Sequence, residues 1–155
     1  LAQVLSLCLR HDTLTELELV GIRLHNDFFR LLAKGLQHNN SLRVLCFNDS
    51  DVGDQGVSLL IPGVREHPTL TRLQMCNCSL TDAGGREVME MLRQQAERLS
   101  LASWRHSLRT SVSKAESDRG IKVIALSYNA LGDSSMSLLA SVLSLDSSLR
   151  EVYVR

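Results

Sequence analysis

The segments TLTELEL, SLRVLCF and TLTRLQM, aligned on Leu14, Leu42 and Leu70, superpose at a spacing of 28 residues. Two further copies, GIKVIAL from Gly120 and SLREVYV from Ser148, are again 28 residues apart. A period of this length restricts the fold more than any single residue does. One copy is too small to bury its own apolar face, so the copies must stack and share a core. Apolar residues hold the first, fourth and sixth positions: Leu14, Leu17, Leu19; Leu42, Leu45, Phe47; Leu70, Leu73, Met75; Ile121, Ile124, Leu126; Leu149, Val152, Val154. The final alternation is that of a short strand with one buried face, and five such strands in register predict a parallel sheet.

The second half of each copy changes period. Phe28, Leu31, Leu32 and Leu36, and later Leu138, Leu139, Val142 and Leu143, have the spacing of one helix face. Between strand and helix the ninth position carries Ile22, Ser50, Cys78 or Asn129, and the eleventh Leu24, Val52, Leu80 or Leu131. Ser, Cys or Asn at the ninth position is expected to hydrogen-bond loop backbone that would otherwise be orphaned; Ile22 cannot. Asp82 and Asp133 read as helix N-caps, while His38 to Asn40 and His67 to Pro68 mark helix ends. Leu1, Val4, Leu5 and Leu9 read as the helix of a preceding repeat, so the solenoid is expected to extend upstream.

The fold class that follows is α/β: a leucine-rich repeat solenoid, one domain over 1–155, with parallel strands on the concave face and helices on the convex face. The long repeat with a true helix resembles the ribonuclease-inhibitor type, found also in Ran GTPase-activating proteins, tropomodulins and Nod-like receptors.

The fourth copy arrives late. Leu70 to Ile121 is 51 residues, a surplus of 23 over the repeat, which places an insertion between the third and fourth strands at about 98–120. Its sequence continues the preceding helix through Ala96 and Leu99, and a mobile loop is expected to follow. Trp104, Leu108 and Val112 lie at i, i+4 and i+8, with Arg105 and Arg109 on another side. Two readings stand. Trp104 folds back and plugs the gap between repeats three and four, as large aromatics are usually buried; or Trp104, Arg105 and Arg109 form a docking element, since those residue types dominate interface hot spots.

Composition removes several function classes. Lys plus Arg equals Asp plus Glu at 17 each, which gives no net pull toward nucleic acid or an acidic membrane surface. Apolar stretches such as Val57 to Pro62 fall far short of the roughly 20 residues that cross a bilayer. Cys8, Cys46, Cys76 and Cys78 fit neither a disulfide framework nor a zinc site, so a reducing compartment is expected. His11, His25, His38, His67 and His106 read as solvated turn residues without metal-site spacing, and the Cys76–Cys78 pair needs no metal. Gly53, Gly56, Gly84 and Gly85 read as turn and packing glycines, with no Lys following in a phosphate-cradling pattern. No catalytic, metal or cofactor site is expected, and the chain reads as a non-enzymatic, monomeric binding module.

Its binding face follows from the strand alternation. Thr15, Arg43, Thr71, Lys122 and Arg150 form one concave column; Glu16, Val44, Arg72, Val123 and Glu151 a second; Glu18, Cys46, Gln74, Ala125 and Tyr153 a third. The first repeat is acidic there and later ones mildly basic, with Val44, Val123, Tyr128 and Tyr153 expected to be exposed. Candidate protein-binding residues are Arg43, Arg72, Gln74, Lys122, Tyr128, Arg150 and Tyr153, together with Trp104, Arg105 and Arg109 of the insertion. The mixture suits a protein segment better than nucleic acid, which calls for a concentrated basic stripe.

LELVGIRLHNDFFRLLAKGL from Leu17, CSLTDAGGREVMEML from Cys78, and the W-x3-L-R element of Trp104, Leu108 and Arg109 before a charged loop resemble the centrosomal leucine-rich repeat family of seventy-eight kilodaltons. That resemblance implies a scaffold at the centriole or basal body that takes part in cilium assembly, with centrosomal partners that include a ubiquitin ligase complex. An unrelated repeat module, such as a Nod-like receptor fragment or a GTPase-activating protein, is the alternative.

Overall fold

A computed structural model describes residues 2–108, 119–145 and 148–155. The described residues alternate strictly between helix and strand: α1 (Ala2–Arg10), β1 (Glu16–Glu18), α2 (Asn26–Leu36), β2 (Val44–Cys46), α3 (Gly53–Val64), β3 (Arg72–Gln74), α4 (Asp82–Leu108), β4 (Val123–Ala125), α5 (Asp133–Leu145) and β5 (Glu151–Tyr153). The five strands lie side by side in chain order, each parallel to the next. Their register is that of the repeat: Leu17, Leu45, Leu73, Ile124 and Val152 stand opposite one another.

This row and the apolar helix faces make one continuous core. Leu45 and Ile124 are fully buried, as are Leu32 and Leu36 of α2, Met89 and Leu92 of α4, and Val142 of α5. Each such side chain contributes about 1.5–3 kcal/mol through its removal from water. Phe29 packs edge-on against Phe28 and Phe47, with ring centroids 5.7 and 5.9 Å apart, tying α2 to the strand of the next repeat. Gly63 has no room for a side chain, because a Cβ there would lie 2.7 Å from the Ala33 carbonyl oxygen of the preceding helix. Leu143, on the expected apolar face of α5, is instead exposed, whereas Leu138, Leu139 and Val142 of that face pack on the core.

The ninth position does what its chemistry allows. The Ser50 hydroxyl donates to the Leu19 carbonyl at 2.7 Å and accepts the Ile22 amide, and the Cys78 thiol donates to the Phe47 carbonyl at 3.0 Å. Asn129 accepts the Cys78 and Leu80 amides and donates to the Met75 and Leu126 carbonyls. Each side chain thus repairs the loop of the repeat before it. Burial pushes the Cys78 thiol up to about 12, so it is a hydrogen-bond donor and not a thiolate.

A second set of side chains closes each helix onto the following strand. Asn39 accepts the Ser41 and Leu42 amides at 3.1 and 2.7 Å, and His67 Nδ1 accepts the Thr69 and Leu70 amides at 3.4 and 3.1 Å. His67 is therefore not a solvated turn residue; it is buried, and desolvation lowers its pKa to about 4. The third member is Gln95, in step with Asn39 and His67, which accepts the Ile121 amide at 3.0 Å and donates to the Ile121 carbonyl at 3.3 Å. Asn39 and His67 cap a residue three positions on, whereas Gln95 caps one 26 positions on. The extra chain lies between the capping side chain, here inside α4, and the strand it serves. Gly120, at φ +101°, is required there, since a Cβ would lie 2.3 Å from the Gln95 amide nitrogen.

Asp82 heads α4, but its carboxylate does not cap its own helix. It accepts the Gly132 and Ser135 amides at 3.0 and 2.9 Å and so caps α5 of the next repeat. Asp54 does the same one repeat earlier, accepting the Thr81 amide and hydroxyl at 2.9 and 2.6 Å. The Ser135 backbone bond holds the Asp82 carboxyl at about 2. Carboxylates at helix N-termini meet the positive end of the helix dipole as well as free amides.

Candidate protein-binding face

The sheet edge is assembled by one repeated bond pattern. The Thr15, Arg43, Thr71 and Lys122 carbonyls each accept two amides from the next repeat, among them the pair Thr71 and Arg72 on Arg43 at 3.0 Å each. This fixes the backbone of the first concave column, from which Arg43 and Arg150 project exposed, while Lys122 is half-buried. In the second column Arg72 is exposed, but Val44 and Val123 are half-buried, not exposed as the alternation suggests. In the third, Cys46 and Ala125 are buried and Gln74 half-buried, so Glu18 and Tyr153 carry its exposed surface.

Charge on the face is ordered. Arg43, Arg72 and Arg150 have no ion pair among the described residues, whereas Glu16 and Glu18 sit together on β1. Glu151 accepts a hydrogen bond from the Tyr153 hydroxyl at 2.9 Å, which raises the tyrosine pKa; the nearby Arg72 charge opposes the rise. Tyr128 and Tyr153 are 65% and 53% exposed.

The insertion begins as an unbroken continuation of α4, which is 27 residues long. The part beyond Gln95 extends about 20 Å at 1.5 Å per residue. Arg98 braces its root, donating to the Arg65 carbonyl at 2.6 Å and lying 3.5 Å from the Glu66 carboxylate, while Arg93 bridges Glu90 and Glu97. Trp104 is 65% exposed, so it does not plug a gap between repeats, and β3 pairs with β4 directly. Leu101, one turn earlier, is exposed as well. Arg105 lies within α4; Arg109, Val112 and the expected loop lie outside the described residues.

Sequence reasoning missed the cap column of Asn39, His67 and Gln95, the brace at Arg98 and a row of left-handed residues. The row is Gly21, Asp49, Asn77 and Tyr128, with φ of 69°, 58°, 52° and 61°. Both columns were readable at the repeat spacing: the first as polar residues 28 apart on the helix side of each repeat, the second as Gly, Asp and Asn after a strand. Among the described residues no group of three or more His, Cys, Asp or Glu is placed to hold a metal ion. A cavity of about 10 Å³ between α3 and α4, lined by Val57, Leu60, Met75 and Val88 among others, has room for at most one water. No described helix is long and apolar enough to cross a membrane.

Comparison with known proteins agrees with this architecture. Residues 38–60 match the family described as Leucine Rich repeat. Over 140 residues the chain is 32% identical to the centrosomal protein of 78 kDa of Homo sapiens, covering 90% of this chain and 20% of that protein. The match is too long to avoid the interruption. A shorter stretch of 55 residues is 40% identical to the ribonuclease inhibitor of Sus scrofa, covering 34% of this chain and 12% of the inhibitor. The leiomodin-1 actin-binding site 2 structure shares the fold, with a TM-score of 0.71 over 98% of this chain and 78% of its own, at 11% identity. The chain is a leucine-rich repeat segment with ribonuclease-inhibitor-type repeats, homologous to the centrosomal proteins of 78 kDa and spanning about a fifth of their length.

Proposed function

We propose that the protein is a non-enzymatic scaffold of the centrosome, acting at the centriole and basal body in cilium assembly and in the regulation of a centrosomal ubiquitin ligase. The homology to centrosomal proteins of 78 kDa over nine-tenths of the chain carries this reading. The match to the ribonuclease inhibitor covers only a third, which gives an unrelated repeat module less support. Two surfaces are proposed for partners: the concave face with Arg43, Arg72, Gln74, Lys122, Tyr128, Arg150 and Tyr153, and the end of α4 with Trp104 and Arg105, to which the sequence adds Arg109 beyond the described residues.

Fluorescence imaging of the tagged whole protein beside a centriole marker tests the reading. A focus at the centriole is expected, and a diffuse signal overturns it. Charge reversal at Arg43 and Arg72 together is expected to weaken capture of centrosomal partners in pull-downs while the circular dichroism spectrum is unchanged. Undiminished capture removes the concave face from the site.

A further inference from the structure

Tyr128 is out of place by the rules of the fold that holds it. At its position the earlier repeats carry Gly21, Asp49 and Asn77, the residue types that tolerate a left-handed backbone. A bulky side chain there is strained by about 1–2 kcal/mol. Burial does not offset that cost, because Tyr128 is 65% exposed. Its amide donates to the Arg155 carbonyl, which sets it on the rim beside β5, where Tyr153 is also exposed. Burial therefore does not explain the Tyr128 ring, and among the described residues Tyr153 is held only by its hydroxyl on Glu151.

The charge on the same face is mainly basic from β2 to β5, where Glu151 is the acidic exception and is engaged by the Tyr153 hydroxyl. Arg43 and Arg150 occupy one column across four strands, with Arg72 beside them, and none has an acidic partner among the described residues. At about 4.8 Å per strand, the span from Arg43 to Arg150 is about 14 Å, the reach of four or five extended residues. At the far end Glu16 and Glu18 reverse the sign. Nucleic acid would meet those two carboxylates with its phosphates, and the chain has no net charge to draw it in. A segment with a short run of carboxylates fits instead.

We propose that the concave face binds an extended acidic peptide segment carrying an aromatic or other apolar anchor. Its carboxylates lie over Arg43, Arg72 and Arg150, and the anchor is held between Tyr128 and Tyr153. This rests on the protein-binding reading above and names the chemistry of the partner. Paired rings give contact area at low entropic cost, and exposed arginines give bidentate contacts to carboxylates.

Fluorescence anisotropy with three labelled peptides of about twelve residues tests it on the 155-residue chain. One carries a run of Glu and a Phe, one the Glu run alone, and one a Lys run with the Phe. The first is expected to bind at least about tenfold tighter than either other, and to weaken as salt rises toward the range where exposed charges are screened. The double variant Arg43→Glu and Arg72→Glu is expected to lose at least about tenfold, and Tyr128→Gly about three- to tenfold. Equal or tighter binding of the Lys peptide, binding by none of the three, or binding untouched by the double variant overturns the proposal.

Tyr128→Gly is expected to leave the thermal midpoint unchanged or higher, since glycine suits that backbone. A fall of more than about 5 °C makes Tyr128 a packing residue and overturns its assignment as anchor. The same double variant in the whole protein separates this inference from the centriolar reading. Lost peptide binding with the centriolar focus retained counts against this face as the recruiting surface. A lost focus with unaltered peptide binding overturns the acidic-segment proposal alone.

Discussion

The second repeat hands over to the third in three residues and the third to the fourth in 26, yet both handovers end in a side chain accepting the amide of the buried residue two positions before the strand. His67 does this for Leu70, and Gln95 for Ile121. The strands that follow pair in the same register, β2 with β3 and β3 with β4. Continuity of the solenoid is thus decided by cap and register and not by chain length. As a flexible loop, the longer connection would cost only about 2 kcal/mol more to close, because the entropy grows with the logarithm of length. An insertion between cap and strand leaves the strand register in place, though Gly120 cannot make the hydroxyl bond that Ser41 and Thr69 make to the preceding repeat.

The comparison can be broken first in the core. Leu45→Ala and Ile124→Ala, one on each side of the interruption and both fully buried, are each expected to cost about 3–4 kcal/mol in urea denaturation. A cost below about 1 kcal/mol for Ile124→Ala alone would mean that the fourth repeat is not docked on the third.

The two caps differ in acid. His67 has its folded pKa lowered to about 4 from an ordinary 6.5, so the folded state binds fewer protons than the unfolded chain between those values. Its stabilising effect is fully present above pH 6.5 and is lost as pH falls toward 4, by up to about 3 kcal/mol. His67→Asn, which reproduces Asn39, is expected to flatten that slope in denaturant melts run between pH 7 and 4.5. An unchanged slope would place the acid sensitivity elsewhere.

At the interrupted junction, Gln95→Ala strands the buried Ile121 amide and is expected to cost about 2 kcal/mol. Hydrogen exchange at Ile121 should quicken in step. If stability does not change, Gln95 is not the cap.

The smallest effects belong to the insertion itself. Trp104→Ala is expected to shift stability by less than about 0.5 kcal/mol, as suits an exposed ring. Deleting residues 97–119 returns Ile121 to the third position after Gln95 and should preserve a single cooperative unfolding transition. A split transition would show that the extended α4 holds the two halves together.

Much of this was legible in advance because repetition makes local pattern and tertiary contact the same statement. The strand rows of Leu17, Leu45, Leu73, Ile124 and Val152, and the loop-repairing side chains of Ser50, Cys78 and Asn129, follow from residue type and spacing. What the sequence by itself determined is therefore the solenoid, its register and the place of the interruption, since each depends on periodic apolar burial. Only the tertiary structure decided that Asp82 serves α5, that Gln95 reaches Ile121, that Trp104 is left largely exposed, and that Tyr128 is held left-handed on the rim. Each of these depends on which atoms of a neighbouring repeat come within hydrogen-bond or packing distance, and no period along one chain segment carries that distance.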